Sequence, residues 1–429
     1  MIDLDSLCSA LLLAYFHTYS PPPTKRASAG DGVGSSIDNT LHIPVCHLQR
    51  ADLALRPEFT AVLRGADVKG EDVLTLEDVP HHGGATTKNS SSGIRPEDTR
   101  WLLVDHNVMT GTLGEVFGSR VFGCVDHHPD EDAVPRDAEI RVIEKSGSCM
   151  SLVVERCADI WEALATGTNT NTNTSTSTPP QSGGPSESGE IIDAQLARLA
   201  LAPILIDTTN LEDKNKTTAH DERAVELAEG KIAARAEKEE EDREEEEGGG
   251  GRYDRDTFFK RIMDLKEDIA EMSFRDVFRK DYKEWRVEGF QNLRLGTSSI
   301  PRGFGYLVDT KSDGDAAAFA GALRDWGAEK DGQGKMDLVV VSTGFQDEDG
   351  KFCRELLVWA RSEPGVRAAK LFEENWADKL GLEAWGDGAL DDLQERDQWR
   401  RCWAQRAVEH SRKQIAPMLR DALGEIAGG

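Results

Sequence analysis

Apolar runs of strand length at 43–48, 101–104, 121–125 and 203–206 are separated by stretches of helical spacing at 6–17, 148–165, 190–201 and 219–236. This alternation leaves few options. Each helix carries the chain back to start the next strand in the same direction, so the expected fold is α/β with a mostly parallel sheet. The same architecture says where chemistry sits, because ligands of an open parallel sheet bind outside the carboxyl ends of its strands. Three of the runs carry an aspartate at that end. "WLLV" leads into Asp105, "VFGCV" into Asp126 and "PILI" into Asp207.

A fourth acidic site, Asp3 and Asp5, stands directly before the helical pattern "SLCSALLLAYF". Any one such aspartate is explained by a helix N-cap or an Asx-turn. Four sites together, with His106 and Asn107 after Asp105 and His127 and His128 after Asp126, ask for more. Unpaired carboxylates crowded at one sheet edge repel one another, and divalent cations remove that repulsion. Hard oxygen donors with an imidazole suit Mn²⁺ or Mg²⁺, and the lack of cysteine at these positions argues against structural zinc. Several carboxylates with a histidine can hold two metals about 3.5–4 Å apart, as in phosphatases. Adjacent His127 and His128 point to different sides, so the economical assignment is one metal ligand and one residue facing substrate.

Two tracts carry nothing to bury. The Thr/Asn/Ser/Pro/Gly stretch 166–189 is expected to be a disordered insert. Residues 237–251 form an acidic block and glycine hinge; 237–247 hold nine acids and two bases, which suits a solvated linker. A polar stretch around 80–99 is expected to be a surface loop. Beyond the hinge, 256–285 has helical spacing, "FQNLRLGTSSI" and "FGYLVD" are strand-like, and "MDLVVVSTGF" (336–345) is a buried strand. A charged helical pattern closes the chain. The expected domains are 1–236, the linker 237–251, and a smaller α/β domain at 252–429.

The net charge of −27 over 429 residues argues against general affinity for nucleic acid or anionic membrane, since phosphate binding rests on Lys and Arg. A polyanionic substrate then needs a local positive site. The seven cysteines are scattered with no CxxC pair, which suits reduced thiols in a cytoplasmic protein. No apolar run reaches the ~20 residues of a membrane span. The short run "LCSALLLAYF" follows acidic residues, where a signal peptide has positive charge.

"DLDS" (3–6), "VDHN" (104–107), "VDHH" (125–128) and "ILIDTTN" (204–210) resemble, in order, the four motifs of the DHH phosphoesterase superfamily. "FRKDYKEW" (278–285), "LGTSSIPR" (295–302) and "SRKQIAP" (411–417) resemble the DHHA2 domain. That domain occurs in family II inorganic pyrophosphatases, prune-type phosphodiesterases and exopolyphosphatases. "VDHN", "EKSGSCMSLV" and "DTTNLEDKNKTTAHD" look most like the fungal and protist exopolyphosphatases.

The resemblance implies a two-domain hydrolase, with its active site in the cleft between the domains, that releases orthophosphate from the end of inorganic polyphosphate using two divalent ions, Mn²⁺ or Mg²⁺. It implies metal ligation by Asp3, Asp5, Asp105, His127 and Asp207, with Asp126 behind them orienting a histidine. His128, Arg412 and Lys413 match the groups that act on the phosphate, and a forked guanidinium with an ammonium grips phosphate oxygens. From spacing alone, Arg412 and Lys413 are a solvated helix face; the resemblance reverses this. Asn107, Lys280 and Arg302 are candidates for substrate binding, with Arg279 and Lys283 nearby. "GSC" (147–149) opens a helix whose amides either bind an anion or simply start it. Pyrophosphate and cyclic-nucleotide phosphodiesters are alternative substrates. In the family, motif I follows a strand and a nearby His or Asn. Here Asp3 follows Met1 by two residues, so an upstream start, or a non-catalytic interaction protein lacking that strand, is the further alternative.

Overall fold

The computed structural model describes residues 3–19, 41–79, 94–165, 187–242, 253–287, 289, 292–332, 334–393 and 398–428. The chain divides into two compact units, Met1–Lys266 and Glu267–Gly429. Sequence reading puts the boundary at 237–251. The contacts place it later, because helix Arg255–Glu267 packs on the first unit's core through Phe258, Phe259 and Ile262.

The first unit runs α1 (Leu4–Tyr19), β1 (Val45–Cys46), α2 (Arg50–Leu53), α3 (Pro57–Gly65), β2 (Leu74–Thr75), β3 (Trp101–Val104), α4 (Gly111–Phe117), β4 (Val121–Asp126), β5 (Ile140–Ile143), α5 (Cys149–Ala165), α6 (Glu187–Asp207), α7 (Ala219–Asp242) and α8 (Arg255–Glu267). Strands β3, β4 and β5 form a parallel sheet in that order, and β1 pairs with β2 in parallel. Val104 lies opposite Val125 and Asp126 opposite Ile143, so the carboxyl ends of the three strands fall level. α1 buries Leu4, Leu7, Cys8, Leu12, Leu13 and Phe16 at helical spacing against α5 and α6. Each fully buried Leu or Phe there contributes about 1.5–3 kcal/mol, which fixes the N-terminal turn carrying Asp5.

Three expectations are corrected in this unit. "PILI" is not a strand: it is the last turn of α6, which continues the helix predicted at 190–201 through Pro203. Residues Leu199 to Leu205 are buried on every side, and a helix that is apolar all round loses the periodicity that distinguishes it from a buried strand. Strand β5, unrecognised in the sequence, completes the sheet instead. Of the insert expected at 166–189, residues 166–186 lie outside the described residues, while Glu187–Gly189 begin α6. Of the linker, 237–242 finish α7 and 243–251 lie outside the described residues, as do 80–93 of the polar loop.

The second unit runs α9 (Phe274–Lys280), β6 (Tyr282–Val287), β7 (Leu293–Ile300), α10 (Ala316–Lys330), β8 (Leu338–Thr343), β9 (Phe345–Gln346), β10 (Phe352–Ala360), α11 (Glu363–Leu380), β11 (Leu382–Ala384), β12 (Trp399–Gln405) and α12 (Arg412–Gly428). Its mixed sheet has the order β11-β12-β10-β8-β7-β6, with only β7 and β8 parallel. Alternate residues feed two cores, Leu338 and Val340 on the face of α11 and α12, Val339 and Val341 on the face of α9 and α10. A strand covered on both faces reads as a continuous apolar run. "FGYLVD" is not a strand: Tyr306–Thr310 form a π-helical turn. Its buried residues Phe304, Leu307 and Val308 have the i, i+3, i+4 spacing of a helix. The helical stretch 256–285 is broken into α8 and α9, and Tyr282 onward is strand.

Candidate active site

The level ends of β3 and β4 bring Asp105, Asp126, His127 and His128 to one edge. Asp105 has φ +61°, a left-handed conformation uncommon outside glycine, while its amide still donates to Val125 O at 3.0 Å. Its carboxylate accepts a hydrogen bond from Ser6 Oγ and lies 3.2 Å from His127 Nε2. His127 Nδ1 faces Ser146 O at 3.0 Å. A carbonyl can only accept, so that bond puts a proton on Nδ1. Nε2 faces carboxylate oxygens of Asp105 and, 4.0 Å away, Asp5, which also only accept, so it carries a proton as well, whose place a bound cation would take. Asp105, His127 and His128 each offer a donor atom within 4.8 Å of the others.

Asp5, 3 % exposed, sits in the first turn of α1. It accepts from the amides of Cys149 at 2.6 Å and Met150 at 2.8 Å, and from Ser9 Oγ at 3.1 Å. It therefore caps α5 across 144 residues of chain. Burial first, then the charges of Asp105 and Asp3, push the Asp5 carboxyl up to about 7. Asp3 is exposed and caps α1, accepting from the Ser6 amide at 3.3 Å. Asp207 ends α6 and not a strand; burial, then Asp5 and Asp3, raise its carboxyl well above the usual range. Burial lowers the His127 imidazole, but the Asp105 hydrogen bond and the charges of Asp5 and Asp105 outweigh it and raise it to about 10. A turn of left-handed residues, Thr209, Asn210 and Leu211 (φ +52°, +58° and +67°), stops α6 directly after Asp207.

Asp126 is fully buried. One of its oxygens takes the amides of His127 and His128 and, at 2.8 Å, His128 Nδ1; the other takes Asn107 Nδ2 at 2.6 Å. Burial raises its carboxyl, but the bonds from His128 and Asn107 hold it below the usual range. His128 is 45 % exposed and turns Nε2 away from Asp126. His106 bonds Val104 O, and burial lowers its pKa.

Two sequence-derived candidates already have partners within the protein. Asn107 is turned inward. It is 1 % exposed and its amide is consumed by Asp126, Pro129 O and the Glu131 amide. The amides of "GSC" are closed to an outside anion. Asp5 takes Cys149, and Asp221 takes Gly147 and Ser148. Sequence reasoning also missed Ser6, Ser146 and Asp221. The "SGS" preceding α5 is a local signal for Ser146 alone.

In the second unit, Arg412 opens α12 and is no solvated residue. Its guanidinium bonds both the carbonyl (2.8 Å) and the carboxylate (2.6 Å) of Asp281, next to Lys280 at the end of α9. Asp281 O also accepts the Ser299 amide, which draws the end of β7 into the same neighbourhood. Arg302, two residues past β7, lies 3.9 Å from Glu267. Lys413 is exposed. A surface cleft of about 850 Å³ between α3 and α8 includes none of the clustered acids or histidines. All seven cysteines are free thiols, and among the described residues no helix is long and apolar enough to cross a membrane.

The fold and cluster define a two-unit α/β protein with a buried carboxylate–imidazole centre at a parallel sheet edge. Residues 260–422 match the family model of the DHHA2 domain. Along its length the chain is 26 % identical to a Schizosaccharomyces pombe protein named "Putative exopolyphosphatase", covering 99 % of this chain and 89 % of that protein. The crystal structure of a Methanococcus jannaschii "putative family II inorganic pyrophosphatase" aligns over 98 % of this chain and 96 % of its own, with TM-score 0.47 and 17 % identity.

Proposed function

We propose that the chain is a metal-dependent exopolyphosphatase that releases orthophosphate from the end of inorganic polyphosphate. The observation that carries this reading is the Asp5–Asp105–His127 constellation. Like charges crowd a buried spot, and an imidazole anchored by Nδ1 turns Nε2 toward them, where a bound cation would take the place of the Nε2 proton. That donor set fits hard divalent cations, Mn²⁺ or Mg²⁺. Asp3, Asp5, Asp105, His127 and Asp207 are the residues that would hold two of them. When bound, such a pair supplies Lewis-acid charge to phosphoryl oxygens and acidifies a water. Similarity over 99 % of the chain to the Schizosaccharomyces pombe protein named "Putative exopolyphosphatase" supports the substrate.

The remaining residues bind and orient. Asp126 holds His128 by Nδ1, leaving Nε2 to donate to a phosphoryl oxygen as charge develops there. Arg412 and Lys413 grip phosphate oxygens, and Lys280 and Arg302 supply charge to the following phosphates. The test is phosphate release from long-chain polyphosphate, pyrophosphate and cyclic AMP with Mn²⁺ or Mg²⁺. Fastest release from polyphosphate, abolished by a chelator, is expected. Faster pyrophosphate turnover would reassign the substrate. Metal binding without release from any of the three would overturn the hydrolase reading.

A further inference from the structure

The segment Ser146–Met150 touches two of the proposed ligands. The Ser146 carbonyl fixes the His127 ring, and the Cys149 and Met150 amides hold Asp5. It also touches a third indirectly. A Cβ on Gly147 would lie 2.6 Å from Thr208 Cγ2, so the backbone there packs directly on the fully buried residue that follows Asp207.

One carboxylate fastens this segment. Asp221, in the first turn of α7 and 0 % exposed, has Ser146 Oγ (3.0 Å), the Ser148 amide (3.2 Å) and Ser151 Oγ (2.6 Å) on one oxygen. On the other it has the Gly147 amide (2.9 Å), the Thr218 amide (2.7 Å) and Thr218 Oγ1 (2.8 Å). Both oxygens therefore face backbone N–H groups as well as hydroxyls. We infer that Asp221 is the positioning residue of the metal site: it clamps the 146–151 turn so that His127, Asp5 and Asp207 keep the arrangement a metal pair requires. This rests on the metal-dependent reading above. Asp221 itself touches neither metal nor substrate. An outer partner that orients ligands in this way shifts affinity by about 10–100-fold when lost.

Asparagine discriminates because it has nearly the shape of aspartate but presents an NH₂ on one side. Whichever way that amide turns, at least one of the Gly147, Ser148 and Thr218 N–H groups meets a donor. The comparison variant is Val225→Ala, which thins the same helix at a residue 1 % exposed in the hydrophobic core without touching the turn. The experiment is a calorimetric titration of the metal-free full-length chain with Mn²⁺, at a temperature where circular dichroism shows each variant folded.

Mn²⁺ affinity about 10–100-fold weaker in Asp221→Asn, with Val225→Ala close to the unmodified chain, is the expected result. Unchanged affinity in Asp221→Asn overturns the inference, and so does an equal loss in Val225→Ala, because the effect would then be general loosening. Failure of the unmodified chain to bind Mn²⁺ overturns the metal-dependent reading itself and takes the inference with it.

Discussion

His127 Nε2 lies 3.2 Å from the carboxylate of Asp105, and the two are contributed by the ends of adjacent parallel strands. Neither residue is placed by its own preference. Asp105 is held in a left-handed conformation, and the His127 ring is held by the Ser146 carbonyl from the far side. The structure thus directs Nε2 at a carboxylate cluster while Nδ1 is held by a backbone carbonyl.

His127→Ala removes the one nitrogen facing both Asp5 and Asp105. Divalent-metal affinity is expected to fall by at least about 100-fold, since loss of an outer partner alone costs about 10–100-fold. Calorimetric Mn²⁺ titration checks it. Retained affinity would assign the nitrogen ligand elsewhere, with His128 the next candidate.

His128→Ala acts on turnover and not on metal loading. Its ring is anchored at Asp126 and nearly half exposed. Loss of a group that stabilises developing charge is expected to lower kcat by about 10²–10³-fold. Asp126→Asn keeps an acceptor for Nδ1 but removes the charge, so a smaller drop is expected. Unchanged phosphate release from folded His128→Ala protein would remove His128 from the reaction.

Arg412→Ala has two separable consequences. It takes a forked donor from the proposed phosphate site, so KM for polyphosphate rises. It also strands Asp281, whose side chain is only 27 % exposed and whose partner is 12 % exposed; a lost hydrogen bond between charged groups costs about 1.5–3 kcal/mol. Arg412→Lys restores charge without the fork, so stability should recover more fully than KM. Urea melts beside steady-state kinetics measure both.

The strand ends of β3 and β4 were legible because a short apolar run leading into aspartate and histidine has few other meanings in a parallel sheet. Asp207 had an identical local signature and a different cause: α6 is buried all round, so "PILI" carries no period. Asn107 follows a strand end as His127 does, yet it points into the protein, and only the tertiary partners Asp126 and Glu131 decide that. Asp221 was invisible for a related reason. Its donors lie 70 to 75 residues upstream as well as at Thr218, and no local pattern announces such a clamp. In the second unit, "FGYLVD" has strand composition but helical spacing of its buried residues, and composition was the wrong guide.

Asp221 also predicts an acid limb. Burial raises its carboxyl, but the bonds from Ser151, Thr218 and Gly147 prevail and hold it below its ordinary 3.8. A depressed folded pKa contributes stability that is fully present above the unfolded value and is lost as pH falls through the folded one. Urea melts from about pH 5 down to about pH 2, the range in which a depressed carboxylate gives up its stabilisation, should therefore show part of the acid loss absent in Asp221→Asn, which starts from lower stability. An unchanged acid slope would mean that other carboxylates dominate it.

Two glycine replacements should move stability in opposite directions. A methyl on Gly147 would meet Thr208 Cγ2 at 2.6 Å and Asp221 Oδ2 at 2.8 Å. Neither neighbour can retreat, because Thr208 is fully buried and Asp221 is fixed by its donors. Overpacking of this kind costs about 1–3 kcal/mol, and the displaced turn should weaken Mn²⁺ binding as well. Gly230, exposed within α7, has nothing within 4 Å of an added methyl. Gly230→Ala there should gain about 0.5–1 kcal/mol from helix propensity and leave metal affinity unchanged. Equal effects of the two substitutions on Mn²⁺ affinity would show that the 146–150 turn does not set the ligand geometry.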